Sequence, residues 1–356
     1  LCLRRHGCSI AALPRALTPT GYIVFGCDFL DLYPCAHYHF TTAPVQTLAD
    51  ETKSVEKPQA PPPESQSTLG FVAEWLGLSS PKPRENTAKL PLYGDGDKSI
   101  RPEAVVQGEV NDCFFMAPLA SVAKANPKII SDSIKQNTDG SYTVTFAGAK
   151  DKPQTVAALT DEELKNYAKV GAKGTWPAVM EKAFGQYLRD NPAERDKILG
   201  HSAGWFLSNP QEYADAGKAT EVLRLLTGYP PSGIKLADSH SPEAVRRFMT
   251  DTFKLADGPV EVPPVVAGIA KGNDYALKMG LHPEHDYSVL GYEGGMVIVR
   301  DPRNKTEANS AGKRMPSENG TFKMTPEDFA KSFDELLAGR NKPMFGSGAL
   351  IMGPIR

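Results

Sequence analysis

After residue 35 the chain contains a single cysteine, Cys113. The body of the protein therefore cannot close an internal disulfide. That absence suits a reducing compartment, or a secreted protein that does not rely on bridges. The other four cysteines, Cys2, Cys8, Cys27 and Cys35, stand near the start with His6, His37 and His39. They can pair or bind metal, but their spacing matches no standard zinc pattern. Charge of one sign is also lacking: 40 Lys and Arg stand against 42 Asp and Glu. General nucleic-acid binding needs a basic footprint, so nucleic acid is not an expected partner. No apolar run reaches the roughly 18–20 residues of a membrane helix. The longest candidate, Gly21 to Leu30, is short and carries Asp28, so no membrane span is expected. Arg4 and Arg5 before CSIAALPRAL faintly resemble a signal peptide, but Pro14 and Arg15 interrupt it. Localisation stays open.

What is present is enough apolar residue, 40% of 356, for a large core. Residues 1–50 show no usable periodicity and read as an N-terminal extension of unknown structure. Residues 51–89 open with ETKSVEKPQAPPPESQSTL, rich in Pro, Ser and charge, and hold FVAEWLGL. They read as a linker and one short helix, because the first part has too little apolar surface to offset ordering entropy. Residues 90–356 form the compact body. Within it DCFFMAPLASVAKAN reads as a helix, capped by Asp112 or Asn111, with Phe115, Leu119 and Val122 at helical spacing. Pro118 conflicts with that helix and predicts a kink. SYTVTFAGA alternates like a strand. TWPAVMEKAFGQYLRD is an amphipathic helix with Trp176, Val179, Met180 and Phe184 inward. GKATEVLRLLTG is a helix ended by Gly228, and SPEAVRRFMTDTF one capped by Ser241. PPVVAGIA, HDYSVLGYE and GMVIVRDP read as strands, with YEGG as a hairpin turn. TFKMTPEDFAKSF is a strand and then a helix. A helical half thus precedes a β half. The fold class is α+β, with a cleft expected between the halves.

Cys113 sits where QGEVNDCFFMAPLA passes from a polar segment into a helix. A lone cysteine there is, on its own, more often a small buried filler. The other reading is a nucleophile whose thiolate is favoured by the free N–H groups at the helix start. The same N–H groups, with a side-chain amide such as Gln107, can bind an oxyanion. A base is then required. Of the histidines in the body, His201 and His240 have polar, loop-like surroundings, and His282 precedes a proline. His285 directly precedes an apolar strand. The far end of the next strand, Asp301, returns near His285. The residue counts on the two sides of the turn match only roughly, so a bulge is expected. The chain order Cys, His, Asp or Asn is that of papain-like proteases.

These residues resemble the calpain-type cysteine proteases. DGDKSIRPEAVVQGEVNDCFFMAPLASVA is similar to that family's Gln-Gly-x-x-Gly-Asp-Cys-Trp-Phe-Leu-Ala-Ala segment. GTWPAVMEKAFGQY resembles Trp-x-x-Leu-Leu-Glu-Lys-Ala-Tyr-Ala, and ATEVLRLLTGYP resembles Ala-Leu-x-x-Leu-Thr-Gly. EHDYSVLGY is similar to Gly-His-Ala-Tyr-Ser-Val, and VRDPRNKTE to Arg-Asn-Pro-Trp-Gly-x-x-Glu. GTFKMTPEDFAKSFDEL looks like the closing strand and helix. The six blocks keep the family's order from about Gly94 to Leu337.

The resemblance implies a papain-like two-lobed fold, a helical lobe plus an antiparallel β lobe, with the active site in the cleft. It implies a cysteine endopeptidase acting on protein or peptide substrates. Cys113 would be the nucleophile, His285 the base and then the acid, and Gln107 part of the oxyanion hole. The family's orienting Asn falls on Asp301, with Asn304 as the alternative. Asn111, Phe114, Glu284 and Arg303 stand where the family has Gly, Trp, Gly and Trp. The chemistry requires no cofactor. The resemblance allows calcium dependence, but DGDKS at Asp95 only mimics the start of an EF-hand loop, and Glu307 is a single acid. Two other readings remain. One is an inactive calpain-like binding module, which Glu284, Asp301 and Arg303 favour. The other is an acyl transferase of transglutaminase type using Cys113, His285 and Asp301.

Overall fold

In the computed structural model, residues 90–200, 217–253 and 262–340 are described. They belong to one compact unit, Ser65–Arg356. The expectations for residues 1–50 and 51–89 lie outside the described residues, as do the early cysteines with their histidines and His201.

The first half is mainly helical: α1 (Cys113–Ala125), α2 (Pro127–Ser133), α3 (Asp161–Asn166), α4 (Trp176–Asp190), α5 (Pro192–Leu199) and α6 (Ala219–Thr227). It also holds strand β1 (Gly94–Asp97) and a small antiparallel sheet of β2 (Ile134–Gln136), β3 (Tyr142–Val144) and β4 (Gln154–Val156). The second half contains β5 (Ser232–Lys235), helix α7 (Pro242–Phe253), β6 (Val265–Ile269), helix α8 (Asp274–Lys278), β7 (His285–Glu293) and β8 (Met296–Arg300). It closes with β9 (Asn309–Ser310), β10 (Lys313–Arg314), β11 (Thr321–Met324), helix α9 (Pro326–Ser332) and β12 (Glu335–Ala338). Six of these strands form one sheet in the order β11-β8-β7-β6-β12-β5, antiparallel throughout. The architecture is α+β.

Helix α1 positions everything that follows. It runs unbroken through Pro118, although that residue lacks the N–H its turn would use. Tertiary packing compensates, since every residue from Cys113 to Ala123 is buried. The spacing of Phe115, Leu119 and Val122 marked one face, but the opposite face is buried as well, as expected of a central helix. Toward α4, Phe115 stacks on Phe184 with ring centroids 4.2 Å apart. Toward the sheet, Ser121 Oγ donates to the Val265 carbonyl at 2.6 Å, and Ser288 Oγ donates to the Ala117 carbonyl at 2.8 Å. Two hydrophobic cores flank α1, one among the helices and one on the sheet. A small cluster of Ala117, Ala219, Leu223, Val266 and Leu337 joins them. The short Ala117 and Ala219 there let α1 and α6 pack closely on each other.

The helix signals act through identifiable groups. Gly228 takes the left-handed conformation that ends α6 (φ +83°). Ser241 Oγ accepts from the Ala244 N–H at the start of α7. Asp112 occupies the cap position of α1, but its side chain makes no capping bond. Between β7 and β8, Gly294 and Gly295 both have positive φ, which a tight two-residue hairpin turn requires.

Candidate active site

A cavity of about 890 Å³ opens between the helical half and the large sheet. Cys113 and Phe114 of α1 form one wall, and His285, Asp286, Gly268 and Glu335 of the sheet form the other. The free thiol of Cys113 and the candidate base therefore face one space. Cys113 is only 6% exposed and His285 only 3%.

The hairpin explains how His285 meets Asp301. From the turn, Glu293 pairs with Met296 and Gly291 with Ile298; beyond a bulge, Val289 pairs with Val299 and Ser288 with Arg300. Carried one residue further, this register sets Asp301 beside Tyr287, two residues from His285 and on the same face. Without the bulge Asp301 would fall opposite Ser288, on the other face. His285 Nε2 donates to Asp301 Oδ1 at 2.9 Å. A carboxylate only accepts, so Nε2 carries the proton and Nδ1 is the nitrogen not engaged with Asp301.

Asp301 is fully buried and accepts four further hydrogen bonds. The Arg303 N–H reaches Oδ1; the Lys305 N–H, the Thr306 N–H and Thr306 Oγ1 all reach Oδ2. Burial by itself would push this carboxyl up. The His285 hydrogen bond and charge, with the loop donors, outweigh it and hold Asp301 well below the usual carboxylate range. Asn304 is turned elsewhere, its Oδ1 accepting from Arg300 Nη2. His282 is exposed and meets His285 only edge-on, with centroids 6.1 Å apart. His240 bonds the Ala330 carbonyl, away from the Cys113 wall.

Three features bear on these residues. First, burial opposes the thiolate that the start of α1 would favour at Cys113. Burial pushes the thiol up to about 12; the Asp286 carboxyl adds to this, and the Asp286 backbone N–H opposes it. Burial also lowers His285, despite the Asp301 carboxylate. Burial thus favours the neutral form of both groups, and no hydrogen bond joins them among the described residues. Alkylation of Cys113 by iodoacetamide should thus be slow at pH 7 and climb steadily up to pH 10, with Asp286→Asn speeding it severalfold at pH 8. Peptide mapping by mass spectrometry reads this, and a rate constant across pH 5–9 would contradict it.

Second, the Gln107 amide is folded back on its own loop. Nε2 donates to the Val110 carbonyl at 2.8 Å, and Gln107 is not part of the cavity wall. Third, two departures from the family pattern meet each other: Arg303 Nη2 donates to Asn111 Oδ1 at 2.7 Å. The link runs from the segment before Cys113 to the loop after Asp301, at the cavity wall. The Arg303 charge favours the Cys113 thiolate and disfavours protonated His285. Glu284 has φ +52°, in the region that favours glycine, which gives a physical reason for the family's Gly there.

Behind Cys113, the carboxyls of Asp112 and Glu181 are buried and act on each other's charge; both Asp112 oxygens and Glu181 Oε1 lack a hydrogen-bond partner among the described residues. Burial raises Asp112 to about 7, and burial with the Asp112 charge raises Glu181 well above its usual range. Both folded values exceed the unfolded ones near 4. Their contribution to stability is therefore full below about pH 4 and lost as pH rises through about 7. Glu181→Gln can donate to Asp112 and still accept from the Ala168 N–H that Glu181 now binds. We expect its melting temperature, followed by calorimetry from pH 4 to 8, to fall less with pH than that of the parent.

The acids considered for calcium do not fit such a site. Asp95 faces Arg101 and Lys173, and Glu307 pairs with Arg314. Among the described residues no group of three or more His, Cys, Asp and Glu side chains is arranged to hold a metal ion. No described helix is long and apolar enough to cross a membrane. The sequence reading missed Asp286 and Glu335 on the cavity wall. Asp286 was visible as an acid beside His285, but Glu335 lies fifty residues away and nothing local marks it.

No protein-family model matches the chain. The chain is similar to a protein of Porphyromonas gingivalis (strain ATCC BAA-308 / W83) described as a thiol protease. The two are 25% identical over 241 residues, covering 59% of this chain and 46% of that protein. The chain thus matches less than half of that relative's length.

Proposed function

We propose that the protein is a cysteine endopeptidase of calpain type, with a papain-like arrangement of its two halves. The carrying observation is that His285, hydrogen-bonded to the buried Asp301, lines one cavity with a free thiol at the start of a helix. In this reading the peptide carbonyl enters beside Cys113. His285 Nδ1 takes the thiol proton as Sγ attacks, because both groups are neutral beforehand. The oxyanion faces the Cys113 N–H, which as a first-turn donor has no intrahelical partner. Gln107 can add a second donor if its amide turns from Val110. His285 then protonates the leaving amine, and water activated by His285 clears the acyl-enzyme. Asp301 holds the imidazole and stabilises its protonated form. No step runs through calcium.

The test is digestion of casein, with and without calcium, combined with labelling by a thiol-directed epoxide mapped to Cys113. Cleavage and stoichiometric labelling are expected. A second reading, an inactive binding module, is favoured by the burial that opposes the Cys113 thiolate and by the lack of a Cys113–His285 hydrogen bond among the described residues. Absence of both cleavage and labelling would select it. Amine incorporation into glutamine without chain cleavage would instead select the acyl transferase.

A further inference from the structure

We infer that the cleft selects a cationic substrate side chain, lysine or arginine, held between Asp286 and Glu335 over Gly268. This rests on the peptidase reading and specifies the substrate class of that site. Across the sheet, Asp286 of β7 pairs with Gly268 of β6, Gly268 with Glu335 of β12, and Glu335 with Lys235 of β5. Residues directly opposite one another share a face of the sheet, and all four line the cavity. Gly268 leaves a gap in this row. A Cβ built there would lie 2.9 Å from Asp286 Oδ1 and 3.1 Å from Glu335 Oε1, so both carboxyls lean over the same gap.

Neither carboxyl accepts a hydrogen bond or joins an ion pair among the described residues, although both residues are half-buried. Acids taken partly out of water are ordinarily paired. Lys235, at the end of the row, is exposed; its charge lowers Glu335 somewhat, but it makes no salt bridge to it. Burial and the Glu335 charge push Asp286 up to about 8, and burial also raises Glu335. A cation over Gly268 would relieve both. The same cavity presents His285, 97% buried and with Nδ1 turned from Asp301, and the nearly buried thiol of Cys113. The gap is thus part of a site with reactive groups, and its occupant belongs to a residue close to the scissile bond. Ionised Asp286 also disfavours the Cys113 thiolate, and a substrate cation paired with that carboxylate offsets the effect.

The experiment uses the full chain and fluorogenic peptides carrying Lys, Arg, Leu or Glu at each of the three positions before the scissile bond. At one position, kcat/KM for Lys or Arg should exceed that for Leu by about ten- to a hundredfold, the scale of a charged hydrogen-bonded contact. The ratio should fall severalfold in Glu335→Gln and approach one in Asp286→Asn/Glu335→Gln. A second arm measures binding of the same peptides to Cys113→Ala by fluorescence anisotropy, with and without the two acid substitutions. Cleavage without a preference for Lys or Arg overturns the inference, as does a preference that survives the double substitution. If the parent cleaves nothing but Cys113→Ala binds the Lys peptide selectively through both acids, the peptidase reading fails and the cation site stands. Equal binding of all four peptides overturns the cation site.

Discussion

Cys113→Ala is expected to abolish casein cleavage, with a loss of roughly a millionfold in kcat if the peptidase reading holds. The substitution removes the free thiol in the cavity and little else, since Cys113 is small and its burial is shared with Phe114 and Phe115 on the same helix. Folding should be unaffected, which circular dichroism and the melting temperature would establish. The thiol is not held ready as an anion, so its chemistry depends on a partner that accepts the proton. Loss of the sulfur therefore removes covalent catalysis entirely, while the cavity and the His285–Asp301 pair stay in place. Full activity in this variant would end the assignment of Cys113 as nucleophile.

Asp301→Asn should lower kcat by on the order of 10² to 10⁴-fold and also destabilise the protein. The aspartate differs from the amide of the resembling family, and the loop shows why it belongs here. Five donors converge on its two oxygens, two on Oδ1 and three on Oδ2. An asparagine presents only one accepting oxygen. If that oxygen keeps His285 and the Arg303 N–H, the amide nitrogen faces the N–H groups of Lys305 and Thr306. Buried donors left unsatisfied cost about 1–3 kcal/mol each. If the amide flips, His285 loses its acceptor and its tautomer is no longer fixed. The pH dependence has a definite sign. The folded carboxyl lies below its unfolded value, so its stabilisation is present above about pH 4 and is lost as pH falls toward the folded value. The stability gap between parent and variant should be widest at neutral pH and should narrow below pH 4. Urea unfolding at pH 7 and pH 3 measures this, and an equal gap at both would remove Asp301 from this role.

Gln107, Cys113 and His285 could be singled out in the sequence because each sits at a local boundary: a polar turn entering a helix, or a histidine at the head of an apolar strand. Helices α4, α6 and α7 and the β7–β8 hairpin were legible for the same reason. Their periodicity, caps and paired glycines are properties of neighbouring residues. Burial of both faces of α1 was not legible, because it depends on what packs from either side.

The protonation of the site belongs to the tertiary structure alone. A helix start favours thiolate, but the walls around Cys113 remove water and bring Asp286 close, and both push the thiol up. The bulge after Val289 decides that Asp301 and His285 share a face, and a one-residue shift is invisible to counting along two strands. The row of Asp286, Gly268 and Glu335 exists only through strand order, which sets β12 beside β6 and β6 beside β7. By itself the sequence determined the fold class and named the candidate reactive side chains. Their partners, their charge state and the acids beside them were decided by register and burial, which are long-range properties that a local pattern does not carry.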